Sequence, residues 1–412
     1  MKRNSLLPVL LLLLLSLIFS IHAREVMSWV PPYDISRCYS RLTEDMGTYS
    51  AHDVMTHLGL QFWRPLSSGE IVYEEECDDE AVNKFREKCT EYGIKLLLCI
   101  YNNNQQNPGW DWPLARTVIR DKKTAFINAL YNECKRLNLD GVDIDLEGTR
   151  NYDDDIDRPL YAAFVKELGE KLHAEGLVLT ADSFHSPCYN APNMAWWEDW
   201  AGYVDHIHSM GYAQLYENNN KTLDGCPAAP DKEGEKFFKY SYQSQFALDA
   251  GLAPQVASIG MPSSSTWGGQ YLRDHIRDIL DLNSPTSVCI WDFTLGGSQW
   301  RESETWELLK KLVDMDTGQT DITIAQPKAQ IKKFATVSLL KDNIQLTVKQ
   351  AGQYTIALFD ASGRLFRSVS KKEYNCGLHS LPLSGGTIAN GICFITIKGD
   401  KQSLSQKVLL HE

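Results

Sequence analysis

The chain has 412 residues, and its 53 acidic against 41 basic side chains leave a formal net charge of −12. A surface of that balance carries no basic stripe for phosphates and repels anionic polymers, which excludes nucleic acid as a partner and favours a neutral substrate. The length asks for a large domain plus a small one, and the ten cysteines lack the paired CxxC spacing of a zinc site, so neither metal nor cofactor is expected.

The first element is a leader. Met1-Lys2-Arg3 precedes a leucine-rich stretch from Leu6 to Phe19, which ends in Ser20-Ile21-His22-Ala23 before Arg24. That is the pattern of a signal peptide over residues 1–23, and it predicts an exported chain. Its apolar run is too short for a stable membrane span, and no later run approaches about 18 apolar residues, so no transmembrane segment is expected in the mature chain. No cysteine lies near the cleavage point, which argues against a lipid anchor.

From Val26 on, short apolar runs alternate with longer amphipathic stretches, the mark of repeated βα units and a parallel sheet. Eight runs are predicted as strands: Val26–Val30, Met55–Phe62, Ile94–Tyr101, Gly141–Glu147, Leu177–Ser183, His206–Tyr212, Val256–Met261 and Val288–Phe293. Helical segments such as Asp79–Tyr92 and Lys122–Leu137 lie between them, with apolar residues returning every three or four positions. Together they predict an α/β fold, a closed (β/α)8 TIM barrel over residues 24–316. After the last amphipathic helix, Thr305–Met315, a polar stretch with Pro327 and several lysines predicts a linker over 317–333. Beyond Phe334 come short alternating strands, Ile344–Val348, Tyr354–Phe359, Leu365–Val369, Leu378–Leu383, Ile392–Ile397 and Ser403–Leu410. Turn residues separate them, which predicts a small all-β sandwich over 334–412. Cys99, Cys289 and Cys393 lie in apolar runs and read as buried free thiols; Cys188 and Cys226 lie in loop-like contexts and are the candidates for a bridge.

The fourth strand carries the chemistry. In Asp140-Gly141-Val142-Asp143-Ile144-Asp145-Leu146-Glu147, three carboxylates recur at every second position while Val142, Ile144 and Leu146 alternate with them. On a strand, this puts Asp143, Asp145 and Glu147 on one face, pointing into the barrel, and the apolar set on the other, toward the helices. Glu147 is nearest the C-terminal mouth, where barrel active sites are built. Like charges so close raise one another's pKa, so at least one of the three should hold a proton, as a general acid must. The alternative is a solvated acidic face, or a calcium site fed by the acidic loop Asp153–Asp157; a parallel strand covered on both faces argues against it.

The run resembles the D-x-x-D-x-D-x-E signature of glycoside hydrolase family 18, the chitinases and endo-β-N-acetylglucosaminidases, at all four acidic positions. The resemblance extends over roughly residues 26–310 as strand order, with the signature on strand four. It implies retaining hydrolysis without an enzymic nucleophile. Glu147 would protonate the glycosidic oxygen while the substrate's 2-acetamido carbonyl attacks C1 to give an oxazolinium ion. Asp145 would orient the acetamido N–H, with Asp143 beneath it sharing a proton. Ser209-Met210-Gly211-Tyr212-Ala213 resembles the family's M-x-Y-D element: Met210 and the hydroxyl of Tyr212 fit, whereas Ala213 stands where the family has Asp. Trp291, on the eighth strand, falls where the family places an indole under the distorted sugar, a good stacking partner for a pyranose.

Other aromatics fall in predicted strand-to-helix loops: Trp63, Trp110, Trp112, Trp196, Trp197, Trp200 and Trp267. Of these Trp63 and Trp110, with Asp140, are taken as further substrate-binding candidates; Asn102, Asn103 and Asn104 are assigned no role. Only a handful of residues separate Met261 from the helix near Tyr271, too few for the α/β insertion that deepens the cleft of processive chitinases, so an open groove and endo-type cutting are expected. The substrate class is a β-1,4-linked N-acetylglucosamine oligo- or polysaccharide, either chitin or the chitobiose core of an N-glycan. The alternative from another class is a chitinase-like lectin that binds sugar without cutting it; retention of Glu147 argues for the enzyme.

The last segment, with Tyr354-Thr355-Ile356-Ala357-Leu358-Phe359-Asp360-Ala361-Ser362-Gly363-Arg364, Asn390-Gly391-Ile392-Cys393-Phe394 and the closing Lys407-Val408-Leu409, resembles the C-terminal sorting domain of the type IX secretion system. This implies the type IX secretion machinery as a partner and a secreted or cell-surface location. A carbohydrate-binding sandwich is the alternative.

Overall fold

A computed structural model describes residues 24–102, 109–149, 151–187, 190–217, 236–264, 266–267, 270–282, 284–314, 335–340, 343–348, 351–360, 365–382, 391–399 and 403–410. The leader, Asn103, Asn104, Cys188, Cys226, the linker and the side chain of Trp267 lie outside the described residues. Eight parallel strands form the main sheet: β1 (Val26–Val30), β2 (His57–Pro65), β3 (Lys95–Tyr101), β4 (Gly141–Asp145), β5 (Val178–Ser183), β6 (His206–Ser209), β7 (Ala257–Pro262) and β8 (Ser287–Trp291). They pair in chain order, and β1 closes the barrel by pairing with both β2, Met27 opposite His57, and β8, Val26 opposite Val288. The expected (β/α)8 barrel is what the chain forms.

Among the described residues, eight helices of nine residues or more flank it: α1 (Ile35–Thr43), α2 (Asp79–Tyr92), α3 (Trp112–Arg120), α4 (Lys123–Arg136), α5 (Asp154–His173), α6 (Tyr240–Asp249), α7 (Leu272–Leu280) and α8 (Ser303–Asp314). Their ends follow local chemistry. The Asp78 carboxylate accepts from Ala81 N at 2.8 Å to start α2, and Gly93, at φ 72°, ends it in the left-handed region. Carboxylates of the acidic run Asp153–Asp157 serve this end of the barrel: Asp153 caps α5, and buried Asp157 takes Arg116 through both carboxylate oxygens at 2.6 Å and Trp112 Nε1 at 2.9 Å.

Alternation along each strand divides two apolar layers. Val142, Ile144 and Leu146 join the large cluster between sheet and helices, as do Leu58 and Leu60 of β2 and Leu96, Leu98 and Ile100 of β3. The opposite set, Met27, Trp29, Leu97, Cys99, Val178 and Cys289, forms a smaller cluster inside the barrel, against which Tyr212 and Trp291 pack. Cys99 and Cys289 are buried free thiols there. Burial of the outer layer supplies most of the barrel's stability, whereas the inner layer fixes what stands at its mouth.

Beyond the barrel, strands Ala335–Leu340, Asn343–Val348 and Gly377–Pro382 form one antiparallel sheet, and Leu365–Tyr374, Gly352–Asp360, Gly391–Gly399 and Ser403–Leu410 a second, in that order. Ile344, Leu346 and Leu381 of the first meet Ile356, Leu358, Ile395 and Ile397 of the second in one core, giving the expected sandwich. Ala335–Leu340 was not expected as a strand. Its alternation is diluted by Ala335 and Ser338, and only pairing with Asn343–Val348 across a two-residue connection reveals it.

Candidate active site

At the C-terminal mouth of the barrel lies a cleft of about 630 Å³. Asp145, at the end of β4, and Glu147, two residues on, stand on its floor with Asp182 from the end of β5. Met210 and Tyr212 line it after β6, Trp291 at the end of β8, and Trp110 in the connection following β3. Gln61, Tyr33, Tyr101 and the acidic run Glu74–Glu76 complete the wall.

The inward row of β4 stands as its alternation requires. Asp143 is wholly buried and receives the Trp29 indole N–H at 2.7 Å and the Thr180 hydroxyl at 2.5 Å. Asp145, one layer up, accepts from Gln61 Nε2 at 2.8 Å through Oδ2, and Glu147 and Asp182 line the same cleft beside it. Burial first, and then the charge of Asp143, push Asp145 up to about 7. Glu147 is 6% exposed, and burial, followed by the neighbouring Asp145 charge, raises its pKa well above the ordinary carboxyl range. A buried acid whose pKa is raised by its surroundings, opening on a cleft, is equipped to hold and donate a proton.

Two devices hold Glu147 in place. Asn102, buried at the end of β3, accepts from Glu147 N at 2.8 Å through Oδ1 and donates to Glu147 O at 2.8 Å through Nδ2, gripping the backbone of the acid from both sides. The next residue is Gly148, where a Cβ would sit 2.7 Å from the Trp112 ring, so the chain can leave the acid only as glycine. Across the barrel, a Cβ on Gly260 of β7 would lie 2.2 Å from Ser209 O and 3.0 Å from Tyr212 N; its absence lets Tyr212 lean over the mouth. The Tyr212 ring lies 6.3 Å from Trp291, which in turn lies 5.9 Å from Trp29. The peptide between Trp291 and Asp292 is cis.

The residues of the family described as Glycosyl hydrolases family 18 match residues 35–354 of the sequence. The chain belongs to this family. No curated relative matches it. Among solved structures, the family 18 chain is similar in fold to a class V chitinase from Pseudomonas fluorescens, with a TM-score of 0.51 and 14% identity over 70% of this chain and 99% of that one. A Group IV chitinase from Ostrinia furnacalis gives a TM-score of 0.50 and 14% identity over 71% and 99%. The spore cortex-lytic enzyme SleL from Bacillus cereus gives 0.42 and 15% over 58% of this chain, which spans 50% of that longer one.

Two expected substrate contacts of this family 18 chain are corrected. Trp63 does not reach the cleft. Leu60 pairs with Leu98 but Trp63 with Ile100, so β2 spends three residues where β3 spends two, and this bulge turns Trp63 to the outer face. There it is 1% exposed, packs against Tyr73 with ring centres 5.0 Å apart and donates to Glu133 at 3.3 Å. Asp140 shares the outward parity of Val142 and sits at the opposite end of β4; it accepts from Arg86 Nη1 at 2.9 Å and Leu96 N at 2.7 Å and ties α2 to the sheet. Trp112, Trp196, Trp197 and Trp200 are likewise buried packing residues, whereas Trp110 remains half-buried at the cleft. Trp63→Ala should therefore destabilise the fold by about 3–5 kcal/mol, seen as a fall in Tm. Trp110→Ala should leave Tm unchanged and raise KM, and a Trp110→Ala variant with wild-type KM would remove it from the site.

Sequence reading missed Asp182, Gln61 and Asn102. The first two were accessible through parity, since Val178, Thr180 and Asp182 of β5 and His57, Gly59 and Gln61 of β2 occupy inward positions. Asn102 acts on backbone atoms and leaves no such signal. Beneath the site, Glu25, His57 and His206 form one close group and Asp143, Asp182 and His208 another. The His208 nitrogens already face carboxylates, Nδ1 toward Asp182 at 2.8 Å and Nε2 toward Glu25 at 3.1 Å, so the ring acts as a doubly protonated bridge rather than a metal ligand.

Proposed function

We propose that this chain is a retaining glycoside hydrolase that cuts β-1,4-linked N-acetylglucosamine by substrate-assisted catalysis. The observation that carries the reading is a buried Glu147 at the cleft floor, its pKa raised well above the ordinary carboxyl range, beside an Asp145 poised near neutrality, with Tyr212 and Trp291 lining the same cleft. Glu147 gives its proton to the glycosidic oxygen. The acetamido oxygen of the same sugar attacks C1, and Asp145, as the anion, accepts the acetamido N–H and balances the growing positive charge. Tyr212 donates its hydroxyl to the acetamido oxygen, and Trp291 stacks under the ring. Water, deprotonated by Glu147 as it regains its proton, then opens the oxazolinium ion with net retention.

The leader-like N-terminus and the sandwich beyond residue 334 extend this reading to an enzyme exported from the cell, with the sandwich as a type IX sorting domain. Between β7 and α7 the described residues form a small hairpin, Thr266–Trp267 against Gln270–Tyr271, which supports an open groove and internal cutting.

Activity should demand the 2-acetamido group. Chitotetraose and a high-mannose glycoprotein, each followed by mass spectrometry, distinguish chitin from the N-glycan core as substrate, and a thiazoline mimic of the oxazolinium ion should inhibit either reaction. Comparable cleavage of cellulose oligomers, or a trapped glycosyl-enzyme ester, would overturn the mechanism; tight binding of both substrates without cleavage would instead mark a lectin.

A further inference from the structure

The resemblance to the family assigns Asp143 as the proton-sharing neighbour of Asp145, yet here Asp143 is fully engaged elsewhere. Its Oδ2 takes the Trp29 indole N–H at 2.7 Å, and its Oδ1 takes the Thr180 hydroxyl at 2.5 Å with His208 Nδ1 3.4 Å away. Each oxygen of this wholly buried carboxylate thus has its own fixed donor. Asp145 Oδ1, by contrast, is buried with no fixed donor, and the β4–β5 register, Asp143 opposite Thr180 and Ile144 opposite Ala181, brings Asp182 beside Asp145 at the same level of the mouth. A proton shared between two such adjacent buried carboxyls relieves the repulsion of two like charges.

Asp182 is built for that part. It closes the inward row of β5, is 2% exposed and opens on the cleft. His208 Nδ1 lies 2.8 Å from its Oδ1, and His208 is held from below by Glu25, whose Oε2 lies 3.1 Å from Nε2 and accepts from the Ser258 hydroxyl at 2.5 Å. The family's carboxylate after the tyrosine of β6 is replaced by Ala213, which is exposed on the turn beyond Tyr212. A second cleft-facing carboxyl therefore survives, supplied from the neighbouring strand.

We propose that Asp182, pinned by His208, is the positioning residue with which Asp145 shares its proton. The proposal rests on the reading of the cleft as a glycosidase site. In the free enzyme one proton lies between the two carboxyls, which together carry a single negative charge. When the acetamido N–H of the substrate donates to Asp145, that proton passes wholly to Asp182, leaving Asp145 as the anion; no charge enters or leaves the pair. His208 prevents Asp182 from turning into the cleft, and its own charge is sustained by Glu25, Asp143 and Asp182 against the opposing effect of burial.

The groups that face Asp182 are Asp143, Asp145, Glu147 and His208, together with Tyr161, Tyr212, Cys99 and Cys289. Burial raises the tyrosines and cysteines well above their ordinary range, so they remain protonated through the neutral region. Only the carboxyls and His208 can contribute to a titration there.

The test uses the purified full-length protein labelled with 13C at the aspartate side-chain carboxyls, the signals being assigned with Asp143→Asn, Asp145→Asn and Asp182→Asn. The Asp145 and Asp182 signals should move together in two steps as pH is changed; in Asp182→Asn the Asp145 signal should titrate in a single step. On a 2-acetamido substrate, Asp182→Asn should lower kcat about tenfold or more while KM changes less than about threefold and Tm stays near wild type. Co-titration of Asp145 with Asp143, a single-step Asp145 titration in the wild type, or wild-type kcat in Asp182→Asn overturns the proposal. The carboxyl titration needs no turnover, so an enzyme inert toward every 2-acetamido substrate would refute the glycosidase reading while the proton pairing is judged on its own result.

Discussion

Glu147→Gln lowers kcat by about three orders of magnitude and leaves sugar affinity and Tm close to wild type. The size follows from the part the proton has in the reaction, since a positioned general acid contributes roughly 10²–10⁴-fold. The amide has the same shape, and the Asn102 grip acts on the Glu147 backbone, so the side chain stays where it was. What is lost is a transferable proton. Because burial of the acid is costly and its pKa is held well above the ordinary range, the neutral amide should be tolerated at least as well as the native side chain. Measurement of kcat, calorimetric affinity for a chitin oligomer and Tm on the same preparation checks all three parts. Retention of more than about a tenth of wild-type kcat would remove Glu147 from the acid's role.

Asp145→Asn reduces kcat by about two orders of magnitude and also changes how stability depends on pH. In the proposed mechanism, rate is lost because the amide cannot balance the charge that develops as the oxazolinium ion forms. The pH effect follows from linkage. Asp145 is pushed up to about 7 in the folded protein, by burial first and the Asp143 charge second, from a value near 4 in the unfolded chain. Between those values the folded state holds a proton that the unfolded state has released, so stability falls as pH rises through this window and levels off above it. The raised pKa of His208 acts in the same direction, its stabilisation being lost as pH rises through its folded value, whereas Glu25, held well below the ordinary range by its histidines against the effect of burial, is a loss only on acidification. Asp145→Asn removes its own share, so the fall in Tm between pH 4.5 and 7.5 should become shallower. An unchanged slope would show that Asp145 titrates as an ordinary carboxyl.

Much of the architecture was readable because the strands obey a period of two. All eight barrel strands fall on the runs marked by apolar residues, and the acidic row of β4 faces inward as its alternation requires. The same rule, applied to β2 and β5, contains Gln61 and Asp182; they were passed over because a lone polar residue in an apolar run is a quieter signal than three carboxylates in a row. Trp63 fails for the opposite reason. Parity puts it inward with Gln61, and only the bulge between Leu60 and Trp63, which is a property of pairing with β3, turns it out. Asp140 belongs to the signature by spacing yet lies at the far end of the strand, where its partners are Arg86 and a backbone N–H. Asn102 shows a further limit: its amide reads main-chain atoms, so no pattern of side-chain types could reveal what it holds.

The column that runs from Glu25 through His208 to Asp182 limits how such a barrel can drift over generations. Each member is buried, and each is compensated by the next. Replacing Glu25 with an aliphatic residue would strand the His208 cation, and replacing His208 would strand two or more carboxylates, each an expensive change in a medium that solvates charge poorly. A single step to an apolar side chain at any of the three sites is therefore uphill, although the three exchanged together for a matched apolar set need not be. Lineages can leave this arrangement only by crossing a valley, so the sites are expected to be inherited as a block. Glu25, which touches nothing in the cleft, is then bound to the history of the acid at its mouth as firmly as the residues that meet the sugar.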